Sequence, residues 1–467
     1  MATLKFLGAI EGVTGSCYLL STDKSQIVLD CGLFQGRREE EAANLCDFPF
    51  DVERIDAMVL SHAHLDHSGR IPLLVRQGLR CPIYMTWPTC DLIEVLLKDA
   101  ASLQERDAEW ENRRRRRAGK DEVEPLYRLP DVEEALDYCQ GTKYHERIAI
   151  TEDIELRFLD AGHILGSAIV ELFISEGGVE KKLVFSGDLG NSCAALLKDP
   201  EQVFDADVLL LESTYGDREH RSMRETLEEF EQVLTEASEN GGNILIPSFA
   251  VGRTQEIIFR LGELYQAGKL NTQAVYLDSP MAIAVTEIYH RYQDVFNAED
   301  RAVMGGQSSR RSLHNFLPIL RYSVSTEESI ALNKIDRGAI IIAGSGMCNG
   351  GRIRHHLKHN IWRSQSHVIF VGFQAIGTPG RALVDGAKYY HMAGEEITVK
   401  AQIHTLGGFS AHASQAQLLA WLKGFEAKRP QLFLVHGEAE AKKALQAAAK
   451  QHGWHAHIPE LNDSIRF

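Results

Sequence analysis

Four residues able to bind a metal fall in one short stretch, Ser61-His62-Ala63-His64-Leu65-Asp66-His67. Imidazoles and a carboxylate crowded so closely need solvent, hydrogen-bond partners or a shared cation. A lone His-X-His is weak evidence of a site, whereas His-X-His-X-Asp-His is specific. In a turn leaving a strand, residues two apart point one way and the next pair another, so one loop can serve two metals. Eight cysteines are scattered with no Cys-X-X-Cys pair. A cysteine-type zinc ribbon is thereby excluded, and histidines must hold any metal.

Such a loop needs remote partners, and the ends of other apolar runs supply them. His163 lies between small residues in GHILGS, and Asp188 follows the run KLVF in SGD. Similar runs recur along the chain: IVLDCG (27–32), DVLLLESTYGD (207–217), NILIPSF (243–249), AIIIAGSG (339–346), VIFVGFQ (368–374) and LFLVHGE (432–438). They predict buried strands punctuated by Gly, Asp or His. Helical patterns alternate with them, which predicts an α/β protein. His62, His163, Asp188, Glu212 and His436 then all stand at carboxyl ends of strands, where open α/β sheets place ligands.

The chain has 467 residues, enough for two or three domains, and its 44% hydrophobic and 25% charged content is that of a soluble globular protein. No long apolar stretch or signal-peptide pattern is present, so no membrane partner is expected. Scattered cysteines fit reduced thiols and a cytoplasmic location. A net charge of −15 excludes a global positive field, so a polyanion must be held by local positive centres. The charged segment 107–125, with its run Arg113 to Arg117, reads as an exposed helical or loop insertion, with an RNA-phosphate strip as the alternative. Residues 297–315 read as a polar loop with a Gly-Gly break.

The motifs HAHLDH, GHILGSA, SGDLG and LDCGLFQG resemble those of the metallo-β-lactamase hydrolases, which hold two zinc ions in an αββα sandwich. LLLESTYGDR, PSFAVGRTQE, GSGMCNGGR, FSAHAS and LVHGE narrow the resemblance to the β-CASP branch of RNA- and DNA-processing nucleases. The likeness runs almost end to end. It is greatest to short prokaryotic β-CASP ribonucleases and to the endonuclease subunit of the cleavage and polyadenylation specificity factor. It implies a metallo-β-lactamase domain over 1–208, an inserted β-CASP domain over 209–394, and a return of the first domain over 395–467.

By that resemblance His62, His64 and His163 hold one zinc, Asp66, His67 and His436 the other, and Asp188 bridges them. Asp30 resembles the carboxylate that orients a ligand from behind. Zinc lowers the pKa of water to about 7 and so provides hydroxide at neutral pH. Asp66 is expected to take a proton, and His412, held protonated by Glu212, to act as general acid. Ser414 is a candidate phosphate donor. Arg253, Arg352 and Arg381 are candidate substrate contacts, near a glycine-rich turn, Gly344 to Gly351, whose backbone could cradle phosphate.

The reading is a zinc-dependent ribonuclease acting on single-stranded RNA, endonucleolytic in preference to exonucleolytic. Histidine at 436 favours RNA by family correlation alone. Three alternatives stay open: a DNA nuclease, a thioester or lactone hydrolase of the same superfamily, and a non-catalytic RNA-processing scaffold. No residue argues for or against a homodimer.

Overall fold

The alternation of short apolar runs with amphipathic helices builds two compact units in a computed structural model that describes residues 1–36, 38–305, 312–375, 377–392 and 394–467. The first comprises Met1–Ser192, Asp199–Glu219 and His412–Phe467; the second comprises Cys193–Lys198 and His220–Ala411.

Among the described residues the first unit holds two seven-stranded sheets. One runs in the order Ser464–Arg466, Thr3–Gly8, Cys17–Ser21, Gln26–Leu29, Ala57–Val59, Ile83–Thr86, Cys139–Thr142. The other runs Ala456–His457, Gln431–Val435, Val208–Glu212, Val179–Phe185, Ala168–Glu176, Ile154–Asp160, Ile148–Ala149. Period-2 alternation explains the layering. Val208 and Leu210 point into the core between the sheets, with Phe6, Tyr18, Leu29, Val170 and Phe185. Leu209 and Leu211 point the other way, onto Leu418, Leu422 and Leu445 of the helices Gln415–Leu422 and Ala439–Gln451. Tyr18 and Phe185 meet across the core with ring centroids 5.2 Å apart. The other sheet carries the helix Trp87–Arg117, which buries Leu92, Ile93, Leu96 and Leu97. The result is an αββα sandwich.

That helix runs straight through the arginine run and closes on it. Arg113 pairs with Glu109, Arg114 with Glu111 and Arg116 with Glu122, so the segment is an exposed helix end in which three of the five arginines are paired with nearby carboxylates.

Among the described residues the second unit is built on six parallel strands in the order Leu320–Tyr322, Ala274–Leu277, Ala339–Ala343, Ile244–Pro247, His367–Phe370, Gln402–Thr405. Helices join them; Met223–Asn240, for example, starts at the N-cap Ser222 and stops at Gly241, whose φ of +71° a side chain would resist. The polar loop expected over 297–315 is corrected. Asn297 caps a helix, Ala298–Val303, by accepting from Asp300 N at 2.8 Å, and Leu313–Phe316 is helical because Leu313 and Phe316 are buried. Residues 306–311 of that segment lie outside the described residues.

Candidate metal centre

The site is assembled at the carboxyl ends of first-unit strands. Ala57–Val59 leads into His62 and His64, and the short helix Leu65–Ser68 carries Asp66 and His67. Close backbone contact fixes this loop. A Cβ at Gly32 would fall 1.5 Å from the carbonyl oxygen of Asp66, so only glycine fits the LDCG turn against it. His163 and Asp188 arrive from turns beside Ile154–Asp160 and Val179–Phe185, and a Cβ at Gly190 would fall 1.9 Å from the carbonyl oxygen of Gly162.

Three groups of potential ligand atoms result: His62, His64, His163 and Asp188; Asp66, His67 and His436; and Asp188, Glu212 and His412. Within the first, His163 Nε2 lies 3.1 Å from His64 Nδ1. Within the second, His67 Nε2 lies 3.1 Å from His436 Nε2. Two imidazole nitrogens cannot direct lone pairs at each other at that distance unless a proton or cation stands between them. The spacing matches the edge of a tetrahedral zinc site, about 3.3 Å for Zn–N bonds of about 2.0–2.1 Å.

Asp188 faces both groups. Its Oδ2 is 3.5 Å from His62 Nε2 and 3.6 Å from His163 Nε2, while Oδ1 is 3.4 Å from His67 Nε2 and 3.3 Å from His436 Nδ1. Both carboxylate oxygens and His62 Nε2 are buried without a hydrogen-bond partner among the described residues. Buried polar atoms left so need a partner of another kind, and a divalent metal fits this donor set.

Behind the donors stands Asp30, fully buried and at φ +54°, a conformation that costs a non-glycine residue energy. Its Oδ2 accepts from His67 Nδ1 at 2.6 Å and Ser61 Oγ at 2.8 Å, and its Oδ1 from Ser61 N at 2.8 Å. Burial, helped by the neighbouring imidazoles of His67, His64 and His163 and opposed by Asp188, depresses the basicity of His62, keeping it neutral and able to donate a lone pair. At His67 burial acts the same way but is overcome by Asp188 and Asp30, which raise it. The pocket's carboxylates thus demand positive charge beside them.

His412 Nδ1 lies 3.5 Å from Glu212 Oε1 and 3.8 Å from Asp188 Oδ2. Burial opposes its protonation, but the charge and hydrogen bond of Glu212, with Asp188 and Asp66, push it up to about 9. Glu212 is itself pinned, accepting from Leu189 N at 2.7 Å and Thr214 N at 3.1 Å.

The remaining sequence-derived candidates lie elsewhere. Ser414 is 3% exposed, caps the helix Gln415–Leu422 and donates to Glu219 at 2.7 Å, so its hydroxyl is turned inward. Arg253, Arg352 and Arg381 belong to the second unit. Arg253 is buried against Glu256. Arg352 donates to buried Asp278 at 2.7 Å and to the carbonyls of Ser323 and Val324. Arg381 pairs with Asp385 on the surface. Sequence reasoning missed two supports, Ser61 and Thr214, whose Oγ1 stands 3.2 Å from His436 Nδ1. Their neighbours in HAHLDH and LLLESTYGDR drew attention instead, because hydroxyls carry no metal-ligand signal of their own.

No described helix is long and apolar enough to cross a membrane. Comparison with known proteins accounts for this arrangement. Residues 19–188 match the metallo-beta-lactamase superfamily domain, 254–383 the Beta-Casp domain, and 396–459 the Zn-dependent metallo-hydrolase RNA specificity domain. The chain is 40% identical to Ribonuclease TTHA0252 of Thermus thermophilus over 98% of both chains. It is 32% identical to the transcription termination factor FttA of Methanocaldococcus jannaschii, over 93% of this chain and 67% of that protein. It is 31% identical to an RNase J-like protein of the same organism, over 94% and 93%. A crystal structure of a protein of unknown function from Enterococcus faecalis superposes with a TM-score of 0.53 over 99% of each chain at 15% identity, a likeness of fold. With its αββα sandwich, inserted second unit and convergent His/Asp donors, the chain belongs to the β-CASP family of metallo-β-lactamase-fold, metal-dependent hydrolases.

Proposed function

We propose that the protein is a zinc-dependent ribonuclease that hydrolyses internal phosphodiester bonds of single-stranded RNA. The observation that carries this reading is Asp188, buried, with neither oxygen hydrogen-bonded among the described residues, and facing imidazole nitrogens of both donor groups. His62, His64 and His163 would hold one zinc, Asp66, His67 and His436 the other, and Asp188 would serve both. When bound, zinc supplies Lewis acidity, bringing the pKa of water near neutrality and offsetting phosphate charge.

The chain's own residues supply the rest. Asp30 fixes a proton on His67 Nδ1 and so aims Nε2 into the site. Asp66 is placed to accept a proton from attacking water. His412, protonated at neutral pH, carries the proton that the leaving ribose oxygen requires, and Glu212 keeps it there. RNA as substrate is supported by the match to an RNA specificity domain and by the name of the relative at 40% identity. The eight cysteines, scattered with no Cys-X-X-Cys pair, support a reducing, cytoplasmic setting.

The test is a denaturing gel of internally labelled single-stranded RNA and matched DNA, run with metal analysis on wild type and His412→Ala. RNA cut internally, DNA spared, and a loss of roughly 10²–10⁴-fold in the variant at unchanged zinc content is the expected result. Equal cutting of DNA removes the RNA assignment. Two zincs per chain with neither polymer cut transfers the site to a small-molecule hydrolase.

A further inference from the structure

Two phenylalanines of the second unit are held in water by buried polar side chains. Phe249 follows the strand Ile244–Pro247 and Phe373 follows His367–Phe370; they are 44% and 50% exposed. Their backbones are nonetheless firmly tied. The hydroxyl of buried Thr254 donates to the carbonyl of Phe249 at 2.7 Å. The amide of buried Gln374 donates to the carbonyls of Phe373 at 3.1 Å, Gly372 at 3.2 Å and Gly346 at 3.0 Å. One side chain thus ties the Phe373 loop to the glycine-rich turn after Ala339–Ala343.

The ring of Phe249 rests on the same turn. A Cβ at Gly346 would fall 2.8 Å from two of its ring carbons, and a Cβ at Gly372 would fall 3.9 Å from it. Glycine at 346 is what lets the ring lie so close. The residue still keeps 44% of its surface exposed.

These three loops leave neighbouring parallel strands. From Ile244–Pro247 the chain passes to Ala274–Leu277 on one side, and later sets His367–Phe370 on the other. The loops therefore flank the point where the winding of the sheet reverses, the place where open parallel sheets bind ligands. Scattered exposed hydrophobes are ordinary, but two rings anchored around one glycine-lined turn form a platform.

We propose that Phe249 and Phe373 form a base-stacking subsite for single-stranded nucleic acid, an inference that rests on the RNA reading above. Two half-exposed rings are far less than the roughly 800 Å² that a stable protein partner would cover on each side. They are the right size for nucleobases, whose flat faces stack on aromatic rings whatever the sequence. The backbone N–H groups of Met347 and Asn349, in the adjoining turn, donate no hydrogen bond among the described residues and can serve the acceptor atoms of a stacked nucleotide.

The experiment is a titration of a single-stranded oligonucleotide containing 2-aminopurine, at fixed salt, against wild type, Phe249→Ala, Phe249→Leu, Phe249→Tyr and Phe373→Ala. Stacking quenches the probe. Wild type and Phe249→Tyr are expected to quench it, whereas the Ala and Leu variants bind roughly ten- to hundred-fold more weakly and lose the quench. Leucine keeps the apolar bulk and discards the π face, so it separates stacking from packing, and thermal melts verify folding. Affinity and quench unchanged in the Ala and Leu variants would overturn the subsite while leaving the ribonuclease reading intact. A wild type that binds no single-stranded oligonucleotide would overturn both.

Discussion

Nδ1 of His67 and Oδ2 of Asp30 stand 2.6 Å apart, with both side chains fully buried. This contact fixes which ring nitrogen of His67 is protonated and leaves Nε2 directed at His436 and Asp188. Asp30→Asn keeps the shape but removes the charge. Because such supporting carboxylates sustain ligand basicity, metal affinity is expected to fall roughly 10- to 100-fold, read by competition with a chromophoric chelator. Unchanged affinity would leave Asp30 without the orienting role.

Asp188 is the only carboxylate among the described groups that faces both histidine sets. Asp188→Ala should therefore lower the metal content of both, whereas Asp66→Ala should spare the set of His62, His64 and His163. Metal per chain, measured by mass spectrometry after gel filtration, distinguishes the two. Metal bound at 100 times its dissociation constant stabilises the fold by about 2.7 kcal/mol, so chelation should also lower the melting temperature by several degrees.

A pH-dependent loss of stability is expected from the second unit. His367 is fully buried on its strand, its Nδ1 3.0 Å from His404 Nε2, and Nε2 has no hydrogen-bond partner among the described residues. Burial and the neighbouring imidazole hold it down to about 4, with Glu236 opposing. The folded state thus resists a proton that the unfolded chain accepts near pH 6.5. Its stability contribution is complete above that pH and declines as pH falls towards 4, by on the order of 3 kcal/mol in all. Urea midpoints between pH 7 and 4.5 should show the decline, and His367→Gln should flatten it; an equal slope in the variant would assign the effect elsewhere.

Arg352 is held by Asp278, which is fully buried and also accepts from His356 Nε2 and Ser329 Oγ, each at 2.6 Å. Removing one partner of such a group leaves buried charge uncompensated. Arg352→Met is expected to destabilise the chain by about 3–5 kcal/mol, visible as a lower denaturation midpoint. An unchanged midpoint with weakened RNA binding would return Arg352 to the substrate.

The sequence by itself determined the α/β class, the strand ends and the donor types standing on them. These follow from periods of two and 3.6 residues and from the chemistry of His-X-His-X-Asp-His, all encoded within a few neighbouring positions. Tertiary structure decided which donors face one another. Asp188 meets His62, 126 residues away in sequence, and His436, 248 residues away, and only strand packing sets those distances. It also decided the company of the polar side chains whose partners are remote. Ser414 finds Glu219, 195 residues away, and Arg352 finds Asp278, 74 residues away. A serine or arginine beside a glycine-rich motif reads the same in sequence whether it faces a phosphate or a buried carboxylate, because the field at its head group is made by chain segments that only folding brings near.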